Sequence, residues 1–317
     1  MNILIIADPI ASFKTYKDTT YAIMRALQRA GHAVWSCEQK DLFADPLVQV
    51  HAQALELQPD ANNWYTITAT DTRTLASFDA VLMRKDPPFD TEYFYATHLL
   101  SRAEMQGAKV FNSGQALRDH PEKLAILEFP ELAPTTLVSS DAARIKAFIQ
   151  HHGDVIVKPL DGMGGTGIFR VRAGDANTNV ILETLTALGK NTIMAQVYLP
   201  AIVDGDKRVL LIDGEPVPFC LARIPQGGET RGNLAAGGRG EARPLTESDW
   251  AIARAAATKL AGRGLFLVGL DVIGDKLTEV NVTSPTCFQE IEQQTGFDVA
   301  GMYVAALEKR CTSPTSY

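Results

Sequence analysis

With 317 residues, 46% of them hydrophobic and 21% charged, the chain has the make-up of an ordinary soluble protein of two or three domains. A net charge of −7 argues against nucleic acid or an anionic membrane surface as the main partner. Cys37, Cys220, Cys287 and Cys311 lie far apart with no C-x-x-C pair, so neither a disulfide framework nor a zinc knuckle is indicated.

Met1–Ala7 is apolar but lacks a basic leader and meets Asp8-Pro9 at once, so it reads as a buried parallel strand and not as a signal peptide. No apolar run reaches transmembrane length, which places the protein in the cytoplasm. A helical stripe over Thr19–Ala30 ends at Gly31, and strand Ala33–Cys37 completes a βαβ opening. Leu47–Leu57 and Trp64–Thr70 alternate as strands. Strand Asp79–Met83 leads into Arg84-Lys-Asp-Pro-Pro-Phe-Asp90, at the strand end where open α/β sheets place ligands. Asp90 is the expected cap of a helix over Thr91–Gln106, and Val110–Asn112 closes a first domain, residues 1–119.

A second domain, residues 120–200, opens with a helix head at Lys123. It continues through strand Leu137–Ser140, a helix over Ala142–His151, a strand pair within Val155–Arg172, a helix around Val180–Leu188 and strand Thr192–Tyr198. The third, residues 201–317, holds a hairpin Arg208–Ile212/Pro216–Ala222 and a glycine-rich loop Ile224–Gly240, six of whose seventeen residues are Gly. A loop so long inside a compact domain reads as a lid or a binding loop, and otherwise as a disordered segment, with the lid favoured. Thr246-Glu-Ser-Asp249 starts a helix running to Arg263. A hairpin Leu265–Ile273/Leu277–Val282 and a helix Val299–Lys309 follow.

Four glycines in six residues, Gly162, Gly164, Gly165 and Gly167, sit between two apolar runs. The letters match G-x-G-x-x-G, but that fingerprint must open a helix, and Ile168–Val171 alternates like a strand. A glycine hairpin of this kind can offer backbone N–H groups to phosphates. Lys158 before it and Lys123 at the helix head complete a triphosphate cradle.

On the last hairpin, Glu279 and Asn281 share a face, being i and i+2 on one strand. Whether Asp271 joins them depends on register. A two-residue turn pairs it with Thr278, and a three-residue loop pairs it with Glu279. Together the three oxygens suit Mg²⁺. Arg208, Arg223 and Arg231, each on its own also readable as a surface arginine, can near a phosphate site hold carboxylates or stabilise a transferring phosphoryl group.

These segments resemble the ATP-grasp superfamily, and within it glutathione synthetase of the prokaryotic type. The resemblance is carried by R-K-D-P-P-F-D-T-E (84–92), K-P-L-D-G-M-G-G (158–165), A-Q-x-Y-L-P (195–200), A-R-I-P-Q-G-G-E-T-R-G-N-L-A-A-G-G-R-G (222–240) and G-L-D-V-I-G-D-K-L-T-E-V-N-V-T-S-P-T (269–286). It implies an α/β and α+β fold: an N-terminal Rossmann-like domain followed by two ATP-grasp subdomains gripping ATP. It further implies Lys123, Lys158, Gly162, Met163, Gly164 and Gly165 on the phosphates. Gln196, Val197, Tyr198 and Leu199 would meet the adenine, and Asp206 the ribose side. Asp271, Glu279 and Asn281 would hold Mg²⁺, or Mn²⁺ in its place.

The implied reaction joins γ-glutamylcysteine to glycine with ATP as co-substrate. Arg208 and Arg223 would stabilise the reacting groups, and Arg84, Arg231 and Ser284 would meet the substrates. The resemblance also implies a homo-oligomer, a tetramer. Two other readings are an ATP-grasp ligase for a different acid and amine, and an ATP-binding protein without turnover.

Overall fold

The structure is a computed structural model, describing residues 1–60, 63–162, 164–227, 232, 234 and 237–312. The described residues fold around three sheets.

The first contains β1 (Asn2–Ile6), α1 (Thr19–Arg29), β2 (Ala33–Cys37), β3 (Leu42–Asp45), β4 (Leu47–Leu57), β5 (Tyr65–Thr74), β6 (Ala80–Met83), α2 (Thr91–Met105), β7 (Val110–Phe111) and α3 (Gly114–Asp119). β1 lies parallel between β2 and β6. Its edges are thus paired, and its faces are covered as well, Ile3 and Ile5 sharing a core with α1 and Leu4 and Ile6 one with α2, which is why Ile3–Ile6 is an unbroken apolar run, fully buried. α1 starts at Asp18, whose carboxylate accepts from Tyr21 N–H, and α2 starts at the expected cap, Asp90, accepting from Tyr93 N–H. β5 runs four residues beyond the expected strand, and β3 and α3 were not anticipated.

The second sheet has the order β10-β9-β11-β8, built from β8 (Thr136–Ser139), α4 (Ala142–His152), β9 (Asp154–Pro159), β10 (Phe169–Arg172), α5 (Thr178–Leu185) and β11 (Ile193–Val197). Ile145, Ile149 and Leu182 from the helices pack on Val155, Val157, Val171 and Ala195 in a core of their own. The strand–glycine loop–strand reading holds, since β9 and β10 pair antiparallel with Phe169 opposite Val157. The helix expected from Lys123 is a 3₁₀ stretch, Leu124–Glu128.

The third sheet, ordered β14-β13-β12-β15-β16, uses β12 (Asp206–Ile212), β13 (Glu215–Ile224), β14 (Arg239–Pro244), α6 (Glu247–Leu260), β15 (Leu267–Ile273) and β16 (Lys276–Asn281), followed by α7 (Phe288–Thr295) and α8 (Val299–Thr312). Thr246 and Asp249 form the capping box of α6, which packs Ile252, Ala253 and Ala256 into a core with Val209, Leu270 and Val280.

Arg239 and Gly240 open a strand, so the loop read as Ile224–Gly240 is shorter than its composition implied. Arg231 and Met163 lie outside the described residues. The first and third sheets are joined by Asn112, which is buried. Its Nδ2 donates to Leu267 O and Val282 O, and its Oδ1 accepts from Phe266 N–H and Leu267 N–H.

Candidate active site

Residues paired across antiparallel strands share a sheet face. In the third sheet Asp206 pairs with Arg223 and with Ile273, and Arg208 pairs with Asp271. The last hairpin resolves the register in a way neither sequence alternative anticipated. Its turn is the two-residue one, with Ile273 opposite Lys276, yet Asp271 sits opposite Glu279. A one-residue bulge at Thr278 takes up the difference; such a bulge changes which side chains share a face. Asp206, Arg208, Arg223, Asp271, Glu279 and Asn281 thus line one face, and all border a single cleft of about 580 Å³.

The second sheet supplies the other wall. Lys158, on β9 opposite Met194, is buried at 7% exposure and enters the same cleft. Burial lowers its pKa, and Lys123 acts in the same direction against Glu279. Among the described residues its ammonium has no hydrogen-bond or ion-pair partner, a costly state for a buried cation and one that an anion would relieve.

Lys123 is held beside the last hairpin because Val280 N–H donates to Glu122 O. Its Nζ donates to Gly162 O and lies 3.3 Å from Glu279 Oε1. Gly162, Gly164 and Gly165 border the cleft, and Gly164 and Gly165 have φ of +61° and +84°. At Gly162 a Cβ would come within 2.9 Å of Pro159 Cγ, so the turn has no room for a side chain.

At the end of β11, Gln196, Val197, Tyr198 and Leu199 border the cleft beside Ile156 and Ile202. The N–H groups of Val197 and Tyr198 are occupied by Thr135 O and Asp154 O. Among the described residues that of Leu199 has no such partner.

Three buried charges, Arg208, Arg223 and Asp271, form the centre with the partly buried Asp206. Arg208 Nε lies 2.6 Å from Asp271 Oδ1, and Arg223 Nη2 lies 2.8 Å from Asp271 Oδ2 while also meeting Asp206 Oδ2. Burial alone would raise the Asp271 pKa, but Arg208 and then Arg223 hold it well below the usual carboxylate range. Asp206 is pushed up to about 6 by burial, against the pull of Arg223. Its Oδ1 is shut away without a partner among the described residues.

For a divalent cation the donor set is two carboxylates and an amide. Among the described residues no group of three His, Cys, Asp or Glu is arranged to hold a metal, so Asn281 is needed. Its Nδ2 donates to Gly269 O, which leaves Oδ1 for a ligand. Three hard oxygens on one face fit Mg²⁺ or Mn²⁺.

The N-terminal domain closes the far side. Arg84, which follows a strand end of the kind where open α/β sheets place ligands, is 4% exposed, with Nε on Thr20 Oγ1 and Nη2 on Pro285 O. Ser284 Oγ donates to Asp86 Oδ1. The sequence reading missed Glu122, whose carboxylate accepts from Val282 N–H, Thr283 N–H and the Thr283 hydroxyl. It also missed Lys17, Asp18 and Glu290. Only the capping pattern at Asp18 had a local signal.

Residues 1–118 match the family described as prokaryotic glutathione synthetase, N-terminal domain, and residues 122–296 match prokaryotic glutathione synthetase, ATP-grasp domain. The chain belongs to the prokaryotic glutathione synthetase family. As a member it is an ATP-dependent ligase that makes glutathione.

Its relatives include the glutathione synthetase of Bordetella parapertussis, 60% identical over 314 residues that cover 97% of this chain and 99% of that one. Another is the glutathione synthetase of Ralstonia nicotianae, 58% identical over 310 residues covering 98% and 96%. Among solved structures, the D-cycloserine synthetase DcsG superposes with a TM-score of 0.69 at 17% identity, covering 98% of this chain and all of that one. The ATP-grasp ligase PsnB, complexed with minimal precursor, Mg and ADP, gives 0.63 at 19% identity, covering 98% of both chains. These two likenesses establish the ATP-grasp fold alone.

Proposed function

We propose that the cleft joins the cysteinyl carboxylate of γ-glutamylcysteine to the amine of glycine, converting ATP to ADP and phosphate through an acylphosphate. ATP-dependent glutathione synthesis is the activity of the family to which the chain belongs. The observation that carries the chemical route is the charged face of the third sheet, where two arginines and three oxygen donors border one cleft with Lys158 and Lys123.

An amine does not displace oxide from a carboxylate. The carboxylate first attacks the γ-phosphorus of ATP, ADP leaves, and the resulting mixed anhydride has a leaving group the amine can displace. That first step brings two anions together, and Lys158, Lys123, Arg208 and Arg223 offset the repulsion. Glycine's amine then adds to the acyl carbon. The tetrahedral oxyanion collapses with loss of phosphate, and Arg223 with Arg208 is placed to stabilise it.

Asp271, Glu279 and Asn281 would hold Mg²⁺, which supplies charge neutralisation at the phosphates. PsnB, of the same fold, is described with Mg and ADP. Gly162, Gly164 and Gly165 offer N–H groups to the phosphates, the adenine lies against Gln196–Leu199 with Leu199 N–H as donor, and the ribose faces Asp206. Arg84 and Ser284 meet the donor substrate.

The same reading divides the chain into residues 1–119, 120–200 and 201–317 and takes it as a cytoplasmic homotetramer. Four unpaired cysteines suit a reducing compartment, and no helix among the described residues is long and apolar enough to cross a membrane.

The route is tested with γ-glutamylcysteine labelled with ¹⁸O in the cysteinyl carboxylate. One label oxygen should appear in the phosphate released, and unlabelled phosphate would rule out the acylphosphate.

A further inference from the structure

Asp154, Arg170 and Tyr198 close a triangle at the edge of the cleft. Arg170 meets the Asp154 carboxylate at two points, with Nε 2.9 Å from Oδ1 and Nη2 2.6 Å from Oδ2. The same guanidinium lies over the Tyr198 ring, its Cζ 3.5 Å from the ring centroid. Tyr198 N–H donates back to Asp154 O at 3.0 Å. Asp154 thus holds the main chain of Tyr198 directly and its ring through Arg170.

The strands explain why these three meet. Arg170 stands opposite Ile156 across β10 and β9, and Ile156 stands opposite Gln196 across β9 and β11. Residues two apart on a strand share a face, which sets Asp154 beside Ile156, and Tyr198, just past β11, beside Gln196. Ile156, Gln196 and Tyr198 border the cleft, whereas Arg170 is not among the described residues that do. The triangle also spans the glycine hairpin, since β9 leads into its turn and β10 returns from it.

Only an arginine can make both contacts at once. Its planar guanidinium pairs with a carboxylate along one edge while its flat face rests on a ring. The hydrogen bonds from Arg170 hold the Asp154 carboxyl below its usual range, so the pair is intact at neutral pH. Arg172 approaches Asp154 as well, but at 3.5 Å and with a side chain 67% exposed it is the weaker partner.

We propose that Arg170 is a positioning residue for ATP. Held by Asp154, it fixes the Tyr198 ring as a wall of the adenine pocket and ties the glycine hairpin to that wall. This rests on the reading of Gln196–Leu199 as the adenine segment. Arg170 touches no substrate and acts through Tyr198. Without the guanidinium the ring regains its rotamers, and that freedom has to be given up again when the base binds. ATP binding is weakened and the chemical step is left alone.

The test is a double-mutant cycle of R170M and Y198A, reading KM for ATP at saturating γ-glutamylcysteine and glycine. R170M should raise KM for ATP about tenfold and leave kcat and KM for glycine within about threefold. In the double variant KM for ATP should match that of Y198A alone, because Arg170 has no ring left to act on. An R170M effect of the same size with and without the ring would overturn the proposal. So would a wild-type KM in R170M; with a lowered melting temperature, that result would make Arg170 a guard of the free edge of β10.

Should R170M not fold, R170K keeps a cation near the ring and loses the two-point contact with Asp154. It should raise KM for ATP about three- to fivefold, and a wild-type KM would overturn the assignment. Failure of the underlying reading is distinct: Y198A would then keep the wild-type KM for ATP.

Discussion

Arg208 and Asp271 face one another across β12 and β15, with Nε 2.6 Å from Oδ1, and the fit depends on a residue with no side chain. Gly269 precedes Asp271 by one step on the same face, and a Cβ there would come within 2.9 Å of Arg208 Cδ and 3.1 Å of Pro285 Cβ. Gly269→Ala should therefore swing Arg208 away from Asp271 and lower kcat at least about tenfold. Steady-state kinetics with a thermal melt would check this. Wild-type kcat in the Gly269→Ala enzyme would show that the alignment of Arg208 is not needed.

Removing Arg208 itself acts on both activity and stability. Arg208→Ala leaves Asp271 buried with Arg223 as its remaining ion-pair partner. Breaking a buried pair by deleting one member costs roughly 3–5 kcal/mol. Urea denaturation should show a loss of that order, and kcat should drop by about 10²–10³.

Glu279 separates chemistry from nucleotide binding. It meets Lys123 at 3.3 Å and stands opposite Asp271. Glu279→Gln should lower turnover by about 10³, while ADP titrated calorimetrically in EDTA binds with a Kd within about fivefold of wild type. Equal turnover in the variant would contradict the metal assignment.

Lys158 makes a pH-dependent prediction. Its folded pKa is lowered, by burial first, from the ordinary lysine value of 10.5. The charged form is thus disfavoured by the fold. Its cost to stability is present at neutral pH and fades as pH rises through the folded pKa towards 10.5. A bound phosphate reverses the preference, so ADP binding should take up protons at alkaline pH. Calorimetry at about pH 9 in two buffers of different ionisation enthalpy should show this uptake in wild type and a reduced uptake in Lys158→Met. Equal uptake in both would assign the proton elsewhere.

Asn112 is predicted to matter for stability and not for chemistry. Its amide satisfies two carbonyls and two N–H groups at the ends of β15 and β16. Asn112→Leu leaves those groups buried and unpaired, at a cost of about 3–5 kcal/mol. Chemical denaturation would measure it, and a loss below about 1 kcal/mol would mean water replaces the amide.

The parts of this fold written in local patterns were legible. β1 shows itself as an apolar run because it is covered on both sides, α1 as a helical stripe, and α2 and α6 announce their starts through Asp90 and Thr246. The glycine hairpin and Lys158 were readable because the glycines follow an apolar run and Ile168–Val171 after them alternates like a strand, which excluded a helix. β3 and α3, at four and six residues, are too short to carry a period.

The register of β15 and β16 was not legible, because counting turn residues cannot reveal a bulge at Thr278. Glu290 was invisible for another reason. It borders the cleft because the helix that carries it is tied, through Phe288 N–H to Thr19 Oγ1, to a residue more than 200 positions earlier in the chain, and no local spacing encodes that.

One cleft is held to couple ATP cleavage to the ligation of γ-glutamylcysteine with glycine, and the coupling itself can be measured. Purified protein supplied with ATP, Mg²⁺ and γ-glutamylcysteine should release ADP, phosphate and glutathione in equal amounts when glycine is added, and far more slowly when other amino acids replace it. Absence of ADP release with glycine, or equal rates with unrelated amino acids, would contradict the account.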